Sequence, residues 1–247
     1  MEPSTHPAPA HLHAQHTPEA IAARLASNAD HSYVGDAVLG AIDGTVTTFA
    51  IVAGARGADL GPGIALVLGL ANVLADGFSM AVSNYLRAKA DLQVVDHARR
   101  VEESHIEKIP DGEREEIRQI FLRKGFEGEV LDAAVDVITQ DRRRWVDTML
   151  MEELGLRLDP PRPLRAAITT FVAFLVAGLV PLVPLFVGHA FLVSAIATAA
   201  TFFAIGVAKG GMLRTGLVRG GLETLLIGGG AALLAYGVGH LARGLAD

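Results

Sequence analysis

The chain contains no cysteine among its 247 residues. Disulfide frameworks, thiolate metal sites, iron–sulfur clusters and cysteine nucleophiles are therefore excluded, and any metal it handles is held by carboxylate, imidazole or thioether. Aromatic residues make up only 6% of the chain, with a single Trp. No basic face interleaved with aromatics occurs, which argues against a nucleic-acid partner. No Gly-rich phosphate loop with its Lys is present, so nothing points to a nucleotide-driven pump. The first 30 residues are polar and lack an apolar core, so no cleavable signal peptide is expected. Charge is missing from long stretches. Residues 88–160 hold 12 of the 21 Lys+Arg and 18 of the 27 Asp+Glu, and the remainder is balanced at nine each. The net charge of −6 thus belongs to one segment.

What fills the uncharged stretches is apolar sequence long enough to cross a bilayer, which takes roughly 20 residues. Five stretches qualify: 34–55, 61–86, 166–187, 190–208 and 221–242. The last three are plain in hydropathy; the first contains Asp36 and Asp43, and the second Asn72 and Asp76. The first two are also rich in Gly and Ala, which suits close helix packing in lipid. Lys and Arg in the connections set the orientation. The loop Gly54–Gly63 has only Arg56, and the turn Pro184–His189 has none. Lys209, Arg214 and Arg219 lie between the fourth and fifth stretches, and Arg87, Lys89, Arg162 and Arg165 flank the charged segment. The amino terminus, that segment and the last connection are therefore predicted to face the cytoplasm. The carboxy terminus faces outward, with Arg243 as a minor inconsistency.

Ionisable groups at bilayer depth mark a pathway or a partner, because each costs about 2.5–3.5 kcal/mol to insert. On a helix, Asp36, Gly40, Asp43 and Thr47 share one face. The two carboxylates are about 10.5 Å apart along the axis. Asn72, Asp76, Met80 and Ser83 or Asn84 form a matching stripe on the second stretch. Together these faces make a seam of oxygen donors and one thioether, a set suited to hard and borderline cations with some affinity for softer ones. Either Asp can take up a proton when a metal leaves. The alternative is a hydrogen-bond network between packed helices.

The charged segment reads as four short helices. The second apolar stretch continues without a breaker to Ile109, and Pro110-Asp111-Gly112 ends it. Further helices are predicted at 113–124, 129–139 and 141–154, separated by Gly125 and Gly128 and stopped by Gly155. Glu102 and His105 are i, i+3 neighbours, as are Glu113 and Glu116, while Met149 and Glu153 are i, i+4. Carboxylates converging from three helices repel one another unless cations neutralise them, which is the logic of an oxygen-rich metal site. A solvated acidic surface is the plain alternative, but methionines beside carboxylates do not belong to one. Glu102-Glu103-Ser104-His105 also fits the Glu-x-x-His element of di-iron carboxylate proteins; no second such element exists, which weakens an oxidase reading. The amino-terminal tail reads as disordered, and its His6, His11, His13 and His16 are either solvated or able to bind divalent metal.

These residues resemble the vacuolar iron transporter family over roughly residues 30–245. DAVLGAIDGTVTTFAIVAGA, GLANVLADGFSMAVSNYL and the acidic module ending WVDTMLMEELGL carry the likeness. The resemblance implies a homodimer with five spans per subunit and a pore between subunits lined by the first two. It implies proton-coupled movement of Fe²⁺, extending to Mn²⁺, Co²⁺ and Zn²⁺, out of the cytoplasm. It makes Asp43 and Met80 transmembrane metal ligands and Asp36 a pore acid nearer the cytoplasm. Glu102, Glu113, Glu116, Met149 and Glu153 fall on positions similar to the family's module ligands. His105 stands where a Glu is expected, Leu150 where a second Met is common, and Asn72 at a position that is often acidic. Asp76 is one turn away from Asn72 and able to compensate.

The resulting expectation is an all-α membrane protein with five transmembrane helices and a small cytoplasmic helical module inserted between helices 2 and 3. Residues 1–30 form a disordered, His-containing tail; 31–88 carry helices 1 and 2; 89–160 form the acidic metal-binding module; and 161–247 carry helices 3–5. The chain is read as a transporter rather than an enzyme, in a bacterial cell membrane. Its module captures Fe²⁺ and passes it to a path lined by Asp36, Asp43 and Met80. The rival readings are a membrane-tethered iron buffer or sensor and a membrane di-iron ferroxidase.

Overall fold

Proline and glycine set most of the helix boundaries. The computed structural model describes residues 14–26, 32–188, 190–212 and 216–246, and it divides into two units, Met1–Ser32 and Tyr33–Asp247. In the first unit α1 covers Pro18–Ala26. Thr17 Oγ1 accepts the Ala20 N–H at 3.2 Å ahead of Pro18, so a capping hydroxyl and a proline with preset φ start a helix where composition predicts none. His6, His11 and His13 lie outside the described residues, as do His189 and Arg214.

In the second unit α2 spans Val34–Gly57 and α3 spans Pro62–Lys108. At 47 residues α3 is about 70 Å long, more than twice the thickness of a hydrocarbon core. Its second half therefore projects beyond any bilayer its first half crosses. It stops at Ile109 (φ −138°, ψ 55°), since a residue before proline is kept out of the α-helical region, and Pro110 opens α4, Pro110–Arg123. A positive φ of 89° at Gly125 turns the chain into α5, Gly128–Thr139. Asp141 caps α6, Arg142–Glu152, by accepting the Arg144 N–H at 2.7 Å. Ile117, Ile120, Leu131, Val135, Ile138, Trp145 and Met149 form the core of this four-helix end. Val146 and Leu150 pack on Val95 of α3, and ion pairs Arg99–Asp147 (2.5 Å) and Arg142–Glu107 (2.6 Å) tie α6 to the same helix.

The remaining elements are α7 (Pro163–Leu179), α8 (Val183–Phe186), α9 (Phe191–Met212) and α10 (Leu217–Ala246). No strand occurs among the described residues. Among the described residues four helices, α2, α3, α9 and α10, are long and apolar enough to cross a membrane. The predicted third stretch, 166–187, is not one helix. It divides at Val180–Leu182 because Pro181 and Pro184 cannot continue the hydrogen-bond ladder. The 17 residues of α7 reach about 26 Å, and the Pro181 carbonyl accepts the Ser194 hydroxyl at 2.5 Å instead of a helical N–H. The α2–α7 contact depends on Gly44, where any Cβ would run into the Phe174 carbonyl. Much of the outward surface is apolar, including Val67, Leu226, Leu233 and Leu234.

Long-range contacts place the helix ends. The Tyr33 hydroxyl accepts the Arg162 N–H at 3.0 Å, so α2 and α7 begin side by side. At the other end Arg243 lies 3.0 Å from Asp59, bringing the end of α10 to the α2–α3 connection. Arg243, inconsistent with a simple charge count, is thus neutralised by a carboxylate.

Candidate metal centre

Three helices deliver the module's ionisable groups. Glu102 and His105 stand one turn apart near the end of α3, and Pro110 turns the chain so that Glu113, on the first turn of α4, comes back against them. One ligand atom from each of Glu102, His105 and Glu113 lies within 4.8 Å of the others. His105 Nδ1 is 3.2 Å from Glu113 Oε1, while Glu113 Oε2 is buried with no hydrogen-bond partner. Glu113 is 1% exposed and Glu102 6% exposed, whereas His105 is open to solvent. His105 also lines a groove of about 340 Å³ with His97, Arg100 and Lys108.

The electrostatics show what the cluster wants. Burial, then the charges of Glu116 and Glu102, a hydrogen bond shared with Glu102 and the charge of Glu153 push the Glu113 carboxyl up from 4.5 to about 7. Glu153 is also raised, by burial, by Glu116 and Glu102 and by a hydrogen bond with Glu116, with His105 opposing. Five predicted residues, Glu102, His105, Glu113, Glu116 and Glu153, are therefore within electrostatic reach of one another. A buried carboxylate oxygen without a partner is costly, and a divalent cation would satisfy it while relieving the mutual repulsion. The donor set is hard oxygen plus one imidazole, with which Fe²⁺, Mn²⁺, Co²⁺ and Zn²⁺ are compatible.

Met149 is also present, but its side chain is fully buried in the apolar cluster with Ile117 and Trp145. Leu150 is equally buried against Val95 and Val146. Both positions therefore hold the module together, a packing role that the spacing of charged residues does not reveal.

A second polar site lies between α2 and α3. Asn84 Nδ2 donates to Asp36 Oδ1 at 2.9 Å, and Asn72 Nδ2 donates to Thr47 Oγ1 at 3.2 Å. Asp43 and Asp76, between these two bonds, are close enough to interact electrostatically. All three pairs follow one antiparallel register, which places Met80 at the level of Gly40, between Asp36 and Asp43. The two stripes read from the sequence thus form one seam. Asn72 cross-links the helices as a hydrogen-bond donor. Asp43 and Met80 are half-buried and Asp36 is buried. Two residues that no polar stripe includes complete the seam's end: Arg87, which the sequence marks only as a flanking positive charge and which lies 3.5 Å from Asp36 Oδ1, and Thr170 of α7, whose Oγ1 accepts from Asn84 Nδ2 at 2.7 Å. No local pattern links Arg87 to a carboxylate 51 residues earlier.

An all-helical chain with several membrane-length helices, an intramembrane polar seam and an acidic cluster on an extension of one of them defines a multi-pass membrane protein with a candidate divalent-cation site. The chain belongs to the VIT family, whose profile matches residues 34–240. It is 35% identical to the vacuolar iron transporter of Toxoplasma gondii over 230 residues, covering 87% of this chain and 76% of that protein. It is 34% identical to vacuolar iron transporter 1 of Eucalyptus grandis over 210 residues (83% and 84%). The corresponding protein of Arabidopsis thaliana is 32% identical over 208 residues (82% and 83%).

Proposed function

We propose that this chain is a proton-coupled transporter that moves Fe²⁺, and with it Mn²⁺, Co²⁺ and Zn²⁺, out of the cytoplasm. The names of its relatives support iron as the substrate. The observation that carries the reading is the single unbroken α3, which holds the Asp76–Met80 part of the seam and the Glu102–His105 part of the cluster on one rod. Met80 and Glu102 are about 33 Å apart along it. The cluster collects the cation from solution through exposed His105, Glu116 and Glu153, and the seam passes it across the membrane. Protonation of a seam carboxylate weakens its hold on the metal and couples release to an inward proton flow.

In this reading α7 and α8 together complete a fifth span, and the excess of Lys and Arg puts the amino terminus and the module (residues 89–160) in the cytoplasm of a bacterial cell. The working unit is a homodimer. Asp76 is exposed on α3 beside exposed Leu74 and Phe78, and a carboxylate does not face lipid without cover. A second copy of the seam would supply that cover. The protein is a carrier and not an enzyme.

Reconstituted in liposomes, the full chain should move Fe²⁺ at a rate that depends on an opposing pH gradient, and Asp43→Ala should abolish the flux. If Asp43→Ala transports as well as wild type, the seam is not the path. Competition among Fe²⁺, Mn²⁺ and Zn²⁺, repeated after deletion of residues 90–160, locates selectivity: lost discrimination with retained flux places it in the module.

A further inference from the structure

Asp36 is 8% exposed, yet only one of its oxygens is occupied. Oδ1 accepts from Asn84 at 2.9 Å and faces Arg87 at 3.5 Å, while Oδ2 is buried without a partner. Asn84 is itself immobilised, because its amide also donates to Thr170 Oγ1 at 2.7 Å and to the Ala166 carbonyl at 3.3 Å. Arg87 differs from Asn84 in being 54% exposed. Its guanidinium donates to Asn84 Oδ1 at 3.1 and 2.9 Å, and also to Asp91 at 3.2 Å, one turn further toward the module. A half-exposed cation thus sits between two carboxylates at the module-facing end of the seam, and the inner carboxylate keeps a free oxygen.

Resting on the reading of the seam as the cation path, we propose that Arg87 is the tethered counter-ion of Asp36 and sets which cations enter. An incoming alkali ion brings no more charge than the guanidinium and none of its hydrogen bonds to Asn84, so it cannot replace it. A divalent ion brings twice the charge and can use both Asp36 oxygens. Asp91 then retains the displaced guanidinium, which keeps the exchange inexpensive. Arg87 is a selectivity and positioning residue, acting through Asp36.

The test is initial-rate Fe²⁺ uptake by the full chain in proteoliposomes, with ascorbate to keep the iron reduced, in potassium and in N-methylglucamine media. Arg87→Gln should lower KM for Fe²⁺ roughly fivefold in N-methylglucamine, the factor corresponding to one half-exposed ion pair. Potassium should become a competitive inhibitor of this variant and leave wild type unaffected. Arg87→Lys should restore the wild-type pattern, and Arg87→Gln should have no further effect on KM in an Asp36→Asn background. Unchanged KM and continued indifference to potassium overturn the proposal, as does an equal defect in Arg87→Gln and Arg87→Lys. Where Arg87→Gln fails to fold, Asp91→Asn decides: a raised KM at constant kcat supports the role, and an unchanged KM overturns it. If wild type itself moves no Fe²⁺, the transport reading fails and takes this one with it; if wild type transports normally, only the role of Arg87 is at stake.

Discussion

Glu113→Gln should make the metal-free protein more stable and the metal-loaded protein less so. Glu113 is almost fully buried, one of its oxygens has no partner, and its carboxyl is held at about 7 where an ordinary glutamate sits at 4.5. Ionising it in the folded state therefore costs about 3 kcal/mol relative to the unfolded chain, and screening by solvent around the exposed Glu116 and Glu153 reduces this to about 1–2 kcal/mol. Because the folded value is raised, the group favours folding fully below about 4.5, and that contribution is lost as pH rises through about 7. A glutamine has the same shape and no charge. At pH 8 in chelator the variant should gain most of that free energy, a rise of roughly 2–8 °C in melting temperature. Its profile should also be flatter than wild type between pH 4.5 and 7. Added Co²⁺ should reverse the order, since wild type gains the binding free energy and the variant does not. Thermal unfolding of the detergent-solubilised full chain measures all three. A variant that melts below wild type without metal, or gains as much from Co²⁺, would refute the assignment of Glu113 as a strained ligand.

Metal binding should weaken as pH falls through about 7 and should release protons, because a cation must displace the proton held on Glu113; calorimetry in buffers of different ionisation enthalpy counts them. Met149→Leu separates packing from ligation. It conserves volume at a fully buried position, so it should cost less than about 1.5 kcal/mol, whereas Met149→Ala should cost about 2–5 kcal/mol; a drop in Co²⁺ affinity in Met149→Leu at unchanged melting temperature identifies a thioether ligand. Gly44→Leu should abolish monodisperse protein on size exclusion, because the Phe174 carbonyl of α7 already occupies the space of a side chain.

Much of this is legible in the sequence. Helix type and the long run of α3 follow from apolar length and the lack of a breaker before Pro110. The two polar stripes follow from i, i+3 and i+4 spacing alone. The Glu102–His105 and Glu113–Glu116 pairs were visible for the same reason, since residues within one turn share a face whatever surrounds them. Met149 shows the limit of this level: a thioether beside carboxylates reads as a ligand, and nothing local shows that seven core residues of three helices also meet around Trp145 and Met149.

What the sequence by itself determined is thus periodic and local: which segments are helices, which faces are polar, and where the −6 resides. Only the tertiary structure decided which faces meet. It split the third apolar stretch at Pro181, neutralised Arg243 with Asp59, and set Asp36 against Asn84, Arg87 and Thr170. Those pairings join residues up to 184 positions apart. Their energy arises from burial and opposite charge at a distance of a few ångströms, quantities that exist only after the chain has packed.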